Sequence, residues 1–306
     1  MTLSILIVNY KTPQLVLDCI GSIYEFDSND IEIIVIDNES EDGVESLLFN
    51  QYPAVLFIQM GYNAGFARAN NAGIKIAKGE CVLLLNSDTI ILDNAVNCCF
   101  FNFKNSQLVA CGVQLLNRDL SVQISGNYAT KGGLNYLLPL PYFGAMVKWF
   151  GTLIGLSKPH LPSASGTHKV DWVNGAFLMV KKNAIEKAGM MDEDFFLYAE
   201  EAEWCSRLKK QGDIAIFGDC KVVHLQGESA TDAFGAAAKG YSNLYDKMGF
   251  QIMLSNLVRI RKEFGLGWFL IIYSIYLAEI PFYFLIMLLD CMLHPKDCKK
   301  KISDWF

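Results

Sequence analysis

The sequence predicts an α/β fold in which a mostly parallel, doubly wound sheet is flanked by helices, and three observations predict it. Short apolar runs alternate with segments of helical periodicity through the first third of the chain, in the order β-α-β-α-β-α-β. Two of those runs, Ile31 to Ile36 and Cys81 to Leu85, stop abruptly and are followed by carboxylates at Asp37 and Asp88. The carboxyl ends of parallel strands converge on one crevice, where open α/β folds bind their ligands. The first strand leads into Asn9-Tyr10-Lys11-Thr12 and not into a Gly-x-Gly-x-x-Gly turn. A dinucleotide is therefore a poor fit, whereas Tyr10 can stack on a base.

In chain order, Leu3 to Val8 is the length of one buried strand and, with no basic residues before it, does not read as a signal peptide. Thr12-Pro13 supplies a cap and a proline at the first helical position, and Leu15, Cys19, Ile20 and Ile23 form that helix's apolar stripe. Ile31 to Ile36 is a second strand, followed by a glycine turn at Gly43, a helix over 44–50 and a short strand at Val55 to Ile58. From Gly61 to Ile74 small residues permit tight turning before a helix that carries Arg68, Asn70 and Asn71. That helix either turns its amino terminus and Arg68 toward a diphosphate or is an ordinary helix with asparagine caps. Leu83 to Thr89 delivers Asn86, Ser87 and Asp88 to the sheet edge, which makes Asp88 the first candidate for chemistry. The competing reading is a turn that caps the next helix, Asp93 to about Lys104, before a strand at Leu108 to Val113.

The second half changes character. Residues 132–156 are nearly uncharged apart from Lys148 and contain Pro139, Pro141, Tyr142, Phe143, Trp149 and Phe150. The prolines exclude a single spanning helix, and the aromatics suit a membrane interface or a loop over a site. Val170 to Val180 reads as one strand whose Asn174-Gly175-Ala176 centre admits close approach of another group. On the helix that follows Asp192, Glu200, Glu203 and Arg207 share a face, while Glu201 points about 100° away from Glu200. An acid at a helix amino terminus stays ionised, as a general base for a sugar hydroxyl must. Ile214 to Phe217 and Lys221 to Val223 are short strands, the second ending in His224, one of only four histidines. It is either structural or a metal ligand or diphosphate donor.

Helices are expected at Tyr241 to Lys247 and Met253 to Lys262, ahead of an apolar run from Phe264 to Leu289 with Glu279 as its only charge and Pro281 near its centre. The run is long enough to span a bilayer. Arg259, Arg261 and Lys262 precede it and Lys296, Lys299, Lys300 and Lys301 follow it, which favours a re-entrant or in-plane hairpin with both ends in the cytosol. A helix pair that covers a domain or joins two copies is the alternative.

Composition sets bounds on partners. A chain of 306 residues can bury a large core in one or two domains, and its 52% hydrophobic content implies some surface that meets lipid. A mean hydropathy of +0.24 falls short of a multi-span membrane protein. The net charge of −6 offers no basic face for nucleic acid. Nine scattered cysteines lack the close pairs of a zinc site or the density of a disulfide scaffold, and read as thiols in a reducing cytosol. Cys98 and Cys99 are adjacent and would point different ways on a helix.

Seven pieces occur in a telling order: Ile7-Val8-Asn9-Tyr10; Val35-Ile36-Asp37-Asn38 with Ser40; Asn63-x-Gly65-Phe66-Ala67 with Asn70-Asn71-x-Gly73; Leu85-Asn86-Ser87-Asp88-Thr89; Trp172 to Phe177; Tyr198 to Arg207; and His224-x-x-Gly227-x-Ser229. Together, from Ser4 to about Tyr245, they resemble the family 2 glycosyltransferases of the GT-A fold, in particular the rhamnosyltransferase-like branch that builds bacterial surface polysaccharides. The resemblance implies a catalytic domain over 1–250, with a donor half to about 115, an acceptor half from 116 and the apolar insertion 132–156, then a membrane-associating segment over 251–306. It implies that Asn9, Tyr10, Asp37, Asn63, Arg68, Asn86 and Ser87 bind the donor, Asp37 at the base, and that Trp172, Asn174 and Gly175 meet the acceptor. It implies further that Asp88 and His224 serve a divalent metal, Mg²⁺ or Mn²⁺, and that Glu201 is the base.

Two positions depart from the family pattern. Asn86 stands where the first aspartate of Asp-x-Asp would be, and Glu201, with Glu200 beside it as a possible substitute, stands where an aspartate base is usual. The expected reaction is transfer with inversion from a nucleotide-diphosphate sugar, dTDP-rhamnose or else a UDP-hexose or UDP-N-acetylhexosamine, to a lipid-linked or cell-surface glycan. The expected location is the cytoplasmic face of the plasma membrane, with a homo-oligomer allowed. A sugar nucleotidyltransferase needs a glycine-rich basic loop that Asn9 to Thr12 does not provide. A non-enzymatic nucleotide-sugar sensor is the remaining alternative.

Overall fold

The computed structural model describes residues 3–26, 31–129, 133–155, 161, 163–225 and 247–293. Backbone contacts divide the chain into two units, Met1–Ala129 with Pro159–Ala237, and Thr130–Lys158 with Ala238–Phe306. Of the sequence expectations, Gly227 and Ser229, the helix at 241–246, the ends of the apolar insertion and the lysines from 296 onward lie outside the described residues.

The first unit is built on one sheet. Strands β1 (Leu3–Asn9), β2 (Ile31–Asp37), β3 (Leu56–Gln59) and β4 (Cys81–Asn86) run parallel in the order β3-β2-β1-β4. Their side chains are apolar on both faces because helices cover both. Leu3, Ile5 and Ile7 pack with α1 (Pro13–Tyr24), α2 (Val44–Gln51) and α4 (Ala95–Lys104) on one side. Leu6, Ile34, Val82 and Leu84 pack with α3 (Gly65–Ile76), α6 (Lys182–Ala188) and α7 (Glu200–Leu208) on the other. Helix α3 lies so close to the sheet that a Cβ on Gly73 would stand 3.0 Å from the Leu6 and Ile36 side chains.

Beyond β4 the sheet becomes mixed. Strand β10 (Phe177–Lys181) enters antiparallel between β4 and β6 (Ala110–Leu116), and β11 (Ile214–His224) runs parallel to β6. At the far edge β5 (Thr89–Ile91) and β8 (Thr167–Val170) both pair antiparallel with β11. Strands β7 (Gly126–Asn127) and β9 (Trp172–Val173) form a separate two-stranded sheet.

Several local expectations are corrected. Val170 to Val180 is not one strand: Trp172–Val173 belongs to the small sheet, and the Asn174-Gly175-Ala176 turn re-aims the chain into β10, with Ala176 N donating to Asn174 Oδ1 at 2.9 Å. The two short strands around 214–223 are a single β11 whose register against β6 shifts between Phe217 and Lys221, a bulge rather than a break. Strand β5 has no alternation to announce it, since its three residues are positioned by β11. Thr12 does not cap α1; its hydroxyl faces Asn9 Oδ1 and Ser87 Oγ, each at 3.3 Å, while Pro13 opens the helix.

The second unit is helical. A 3-10 turn (Gly133–Leu137), α5 (Phe143–Leu153), α8 (Lys247–Phe264) and α9 (Leu266–Leu293) enclose a core of Tyr136, Leu137, Leu140, Leu257, Ile260, Ile272 and Tyr276. The chain reverses between α8 and α9 at Gly265, whose φ of +87° a side chain would rarely adopt. Helix α9 runs unbroken through Pro281. Glu279 is fully buried, and its carboxylate accepts the backbone N–H groups of Tyr142 at 2.8 Å and Phe143 at 3.1 Å, the first donors of α5. The one charge of the apolar run is thereby satisfied inside the unit. At 28 residues α9 is about 42 Å long and apolar enough to cross a membrane, and Leu270, Ile271, Phe282, Leu285 and Leu289 are among its exposed side chains.

Candidate active site

The carboxyl ends of β1, β2, β4 and β11 supply the site. On the β1–β2 side Asn9 is buried, and its amide donates to Asp37 Oδ1 at 2.7 Å, Asp42 Oδ2 at 2.9 Å and Ser40 Oγ at 3.0 Å. Asp37 Oδ2 accepts from Ser40 N and from Gln59 Nε2, both at 3.0 Å. Asp37 is thus held rigidly by its neighbours as well as being placed at the strand end. Tyr10 is half-buried, with the Lys11 ammonium 5.4 Å from its ring centre.

Asp88 and His224 meet because of strand pairing. The β5–β11 register sets Thr89 opposite His224, and Leu225 N donates to Asp88 O at 2.9 Å, so the residue before β5 sits beside the residue that ends β11. His224 Nε2 is 3.4 Å from Asp88 Oδ1 and 3.5 Å from Asn86 Nδ2. The imidazole's other nitrogen fixes its tautomer. Gln123 Nε2 faces three oxygens, His224 O at 2.6 Å, Asn117 Oδ1 at 2.7 Å and Leu116 O at 3.3 Å, so its amide must turn Oε1 toward His224 Nδ1, 3.0 Å away. Nδ1 therefore carries a proton, and Nε2 is turned to the Asp88 side of the site. Gln123 was not singled out by the sequence, because its role depends on a bridge isolated at Leu116–Val122 that no local pattern marks.

These groups fit a divalent cation that also binds substrate. No cluster of three or more His, Cys, Asp or Glu side chains able to hold a metal exists among the described residues. One carboxylate and one imidazole, those of Asp88 and His224, are the chain's contribution, and Mg²⁺-type sites with one or two carboxylates are completed by substrate phosphates and water.

The Trp172–Phe177 stretch and the acidic helix α7 come together across Gly175. Asn86 N donates to Ala176 O at 3.1 Å, which ties the metal-side strand to the turn. A Cβ at Gly175 would stand 3.7 Å from Glu201 Cβ and 3.6 Å from the Phe66 ring, so Asn174 and Gly175 flank Glu201, with Trp172 on the adjoining strand. Within the acid pair, Glu200 is buried and its Oε2 has no hydrogen-bond partner, whereas Glu201 is only half-buried. Burial, reinforced by the neighbouring Glu201 charge, pushes the Glu200 carboxyl well above the usual range. Of the two acids, Glu201 is the more accessible to solvent. Glu203 takes no part; it forms a bidentate pair with Arg207 at 2.7 and 2.8 Å, and Arg207 also donates to Ala188 O.

Helix α3 grips the loop that leads to those acids. Asn71 makes a two-point clamp on Met191, donating to its carbonyl at 2.9 Å and accepting from its N–H at 3.0 Å, and Phe66 N donates to Phe196 O at 2.8 Å. Arg68 lies at the surface, 3.9 Å from Glu193 Oε2, and Asn63 is exposed, accepting from Gly65 N. The grip ends in two consecutive left-handed residues, Tyr198 (φ 72°) and Ala199 (φ 67°), immediately before Glu200. Such backbone costs energy and persists only where surrounding contacts enforce it.

A mixed sheet flanked by helices, with an acidic strand end, a metal-side histidine and an acid-bearing helix gathered at one edge, defines the GT-A class of nucleotide-sugar transferase folds. The crystal structure of GalNAc-T7 with UDP, GalNAc and Mn²⁺ superposes on 73% of this chain and 44% of its own, with a TM-score of 0.56 at 13% identity, a likeness of fold. Residues 4–156 match the profile of Glycosyl transferase family 2, and the chain belongs to that family. Curated relatives include the low-salt glycan biosynthesis hexosyltransferase Agl10 of Haloferax volcanii, 28% identical over 72% of this chain, and the dTDP-rhamnosyl transferase RfbF of Shigella flexneri, 25% identical over 70%. The matches span 65% and 66% of those relatives' own lengths.

Proposed function

We propose that the protein transfers a sugar, with inversion, from a nucleoside-diphosphate donor to a lipid-linked or cell-surface glycan, and that L-rhamnose from dTDP-rhamnose is its donor. The observation that carries the reading is the arrangement at the sheet edge: Asp88 and His224 face each other at 3.4 Å, and Glu201 stands against Gly175 on the acceptor side. Asp88 and His224 would hold a divalent cation, Mg²⁺ or Mn²⁺, which when bound neutralises the diphosphate as it departs. Glu201 takes the proton of the attacking hydroxyl, while burial and the neighbouring Glu201 charge raise the Glu200 carboxyl and disfavour a second charge beside it. Asn9, Tyr10 and Asp37 orient the nucleoside, Asn63, Arg68, Asn86 and Ser87 border the remainder of the donor, and Trp172, Asn174 and Gly175 shape the acceptor approach. A single base acting with a bound leaving group corresponds to one displacement, hence inversion at the anomeric carbon.

The name of RfbF supports the dTDP-rhamnose assignment, and the hexosyltransferase Agl10 and the UDP complex of GalNAc-T7 support the second reading, a UDP-hexose or UDP-N-acetylhexosamine donor. The exposed apolar face of α9 supports a membrane surface as the place where a lipid-linked acceptor is met, at the cytoplasmic side. A radiolabelled-sugar transfer assay with each donor and with Mn²⁺ or Mg²⁺ tests the whole. Asp88→Ala and Glu201→Gln are expected to lower transfer by at least about 100-fold, and wild-type rates in either variant would sink the site assignment.

A further inference from the structure

Four thiols gather where α4 lies on the sheet. Cys98 and Cys99 are on α4, Cys111 is in β6 and Cys220 is in the β11 bulge. Cys99 Sγ is 3.6 Å from Cys111 Sγ, and Cys220 Sγ is 3.0 Å from Cys98 Sγ. The pairs differ in access: Cys99 and Cys111 are both fully buried, whereas Cys98 faces solvent above a buried Cys220. The Cys98 and Cys220 sulfurs need approach by only about 1 Å to reach the ~2.05 Å of a disulfide. The bulge that carries Cys220 is a local irregularity of the ladder, where one residue can shift without unpairing the strand.

We propose that Cys98 and Cys220 form a reversible thiol–disulfide pair, in which Cys98 meets a small peroxide and Cys220 resolves the product. In the first step the Cys98 thiolate attacks one peroxide oxygen. The S–O bond forms, the O–O bond breaks, and the departing hydroxide takes a proton to become water. In the second step Cys220 gives up its proton and attacks the Cys98 sulfur. The S–S bond forms, the S–O bond breaks, and a second water leaves. Two thiols are oxidised and one peroxide is reduced, and a dithiol reductant reverses the change. Burial pushes the Cys220 thiol well above its ordinary range, so it is the exposed Cys98, and not Cys220, that meets the peroxide. The bond would tie α4 to β11 four residues before His224, on the strand whose pairing with β5 sets Asp88 in place. The pair itself does not depend on the transferase reading.

The test uses the native full-length chain exposed to hydrogen peroxide, then alkylated, digested and analysed by mass spectrometry. The expected result is a Cys98–Cys220 linked peptide with loss of two alkylatable thiols per chain, restored by dithiothreitol. Cys98→Ser, a change at an exposed position, should leave no linked peptide, and Cys220→Ser should stop at a Cys98 sulfenic acid that dimedone traps. Recovery of Cys98 as a sulfinic acid beside an unmodified Cys220, of both thiols unchanged, or of a link from Cys98 to Cys99 would overturn the proposal.

Discussion

Gly65 lies against the backbone of Phe196 so closely that a Cβ there would stand 2.4 Å from the Phe196 carbonyl oxygen. Its φ of +80° adds a second reason for glycine. The contact joins the two ends of the site, since Asn38, next to Asp37, donates to Gly65 O at 3.3 Å, and Phe196 lies four residues before Glu200.

Gly65→Ala should therefore disturb both donor binding and the acid helix. Gly43 provides the control, with a similar φ of +74° but open space around it. Gly43→Ala should cost about 1 kcal/mol of stability and leave transfer intact. Gly65→Ala should cost roughly 2–4 kcal/mol and lower transfer more than tenfold. Thermal unfolding and transfer rates on the two variants decide it, and equal behaviour would separate the Gly65 contact from the chemistry.

Asn71→Ala removes both bonds to the Met191 backbone, which lie between buried residues. A loss of about 2–3 kcal/mol is expected. Because the clamp holds the loop ahead of Glu200, kcat should fall while the KM for donor stays within about twofold. A change confined to donor KM would place Asn71's influence elsewhere.

Glu200 makes a pH prediction with a definite sign. Burial, with the neighbouring Glu201 charge, raises its folded-state carboxyl well above the ordinary glutamate range, so between the ordinary and the folded values the folded state holds a proton that the unfolded state has lost. Its contribution is present below about pH 4.5 and is lost as pH rises through the folded value. Glu200→Gln cannot ionise, so its unfolding temperature relative to wild type should climb with pH above about 4.5. A pH-independent difference between the two melting curves would show that Glu200 is not held neutral.

Gln123→Leu should release His224 from its fixed tautomer. Outer-shell partners of metal-bound histidines are worth about 10–100-fold in metal affinity. Mn²⁺ titrations of donor binding should shift by that factor, with donor binding in chelator unchanged. Superimposable Mn²⁺ curves would remove Gln123 from the site.

The parallel half of the fold was legible because each strand there is a continuous apolar run with a clear stop, as at Asp37 and Asp88. Strand β5 and the β7–β9 ribbon were not, because three- and two-residue strands hold their shape through partners and not through their own pattern. Among candidate site residues, the positions of Asp88 just past a strand and of Glu201 in the first turn of a helix were readable from the sequence. The work of Gln123 and Asn71 is invisible in the sequence: each acts across more than a hundred residues, on His224 and Met191. The reversal at Gly265 was likewise unmarked, since a single glycine between two helical patterns does not announce a turn.

The carboxylate of Glu279 has a practical consequence for anyone preparing a shortened protein. Its two bonds are made to a segment more than a hundred residues earlier in the chain, so cutting before α9 strips the first turn of α5 of its acceptor and leaves Tyr136, Leu137 and Leu140 uncovered. A tail deletion alone would yield a sticky, poorly behaved product. An excision designed for solubility has to remove residues 130–158 together with everything from 238 onward.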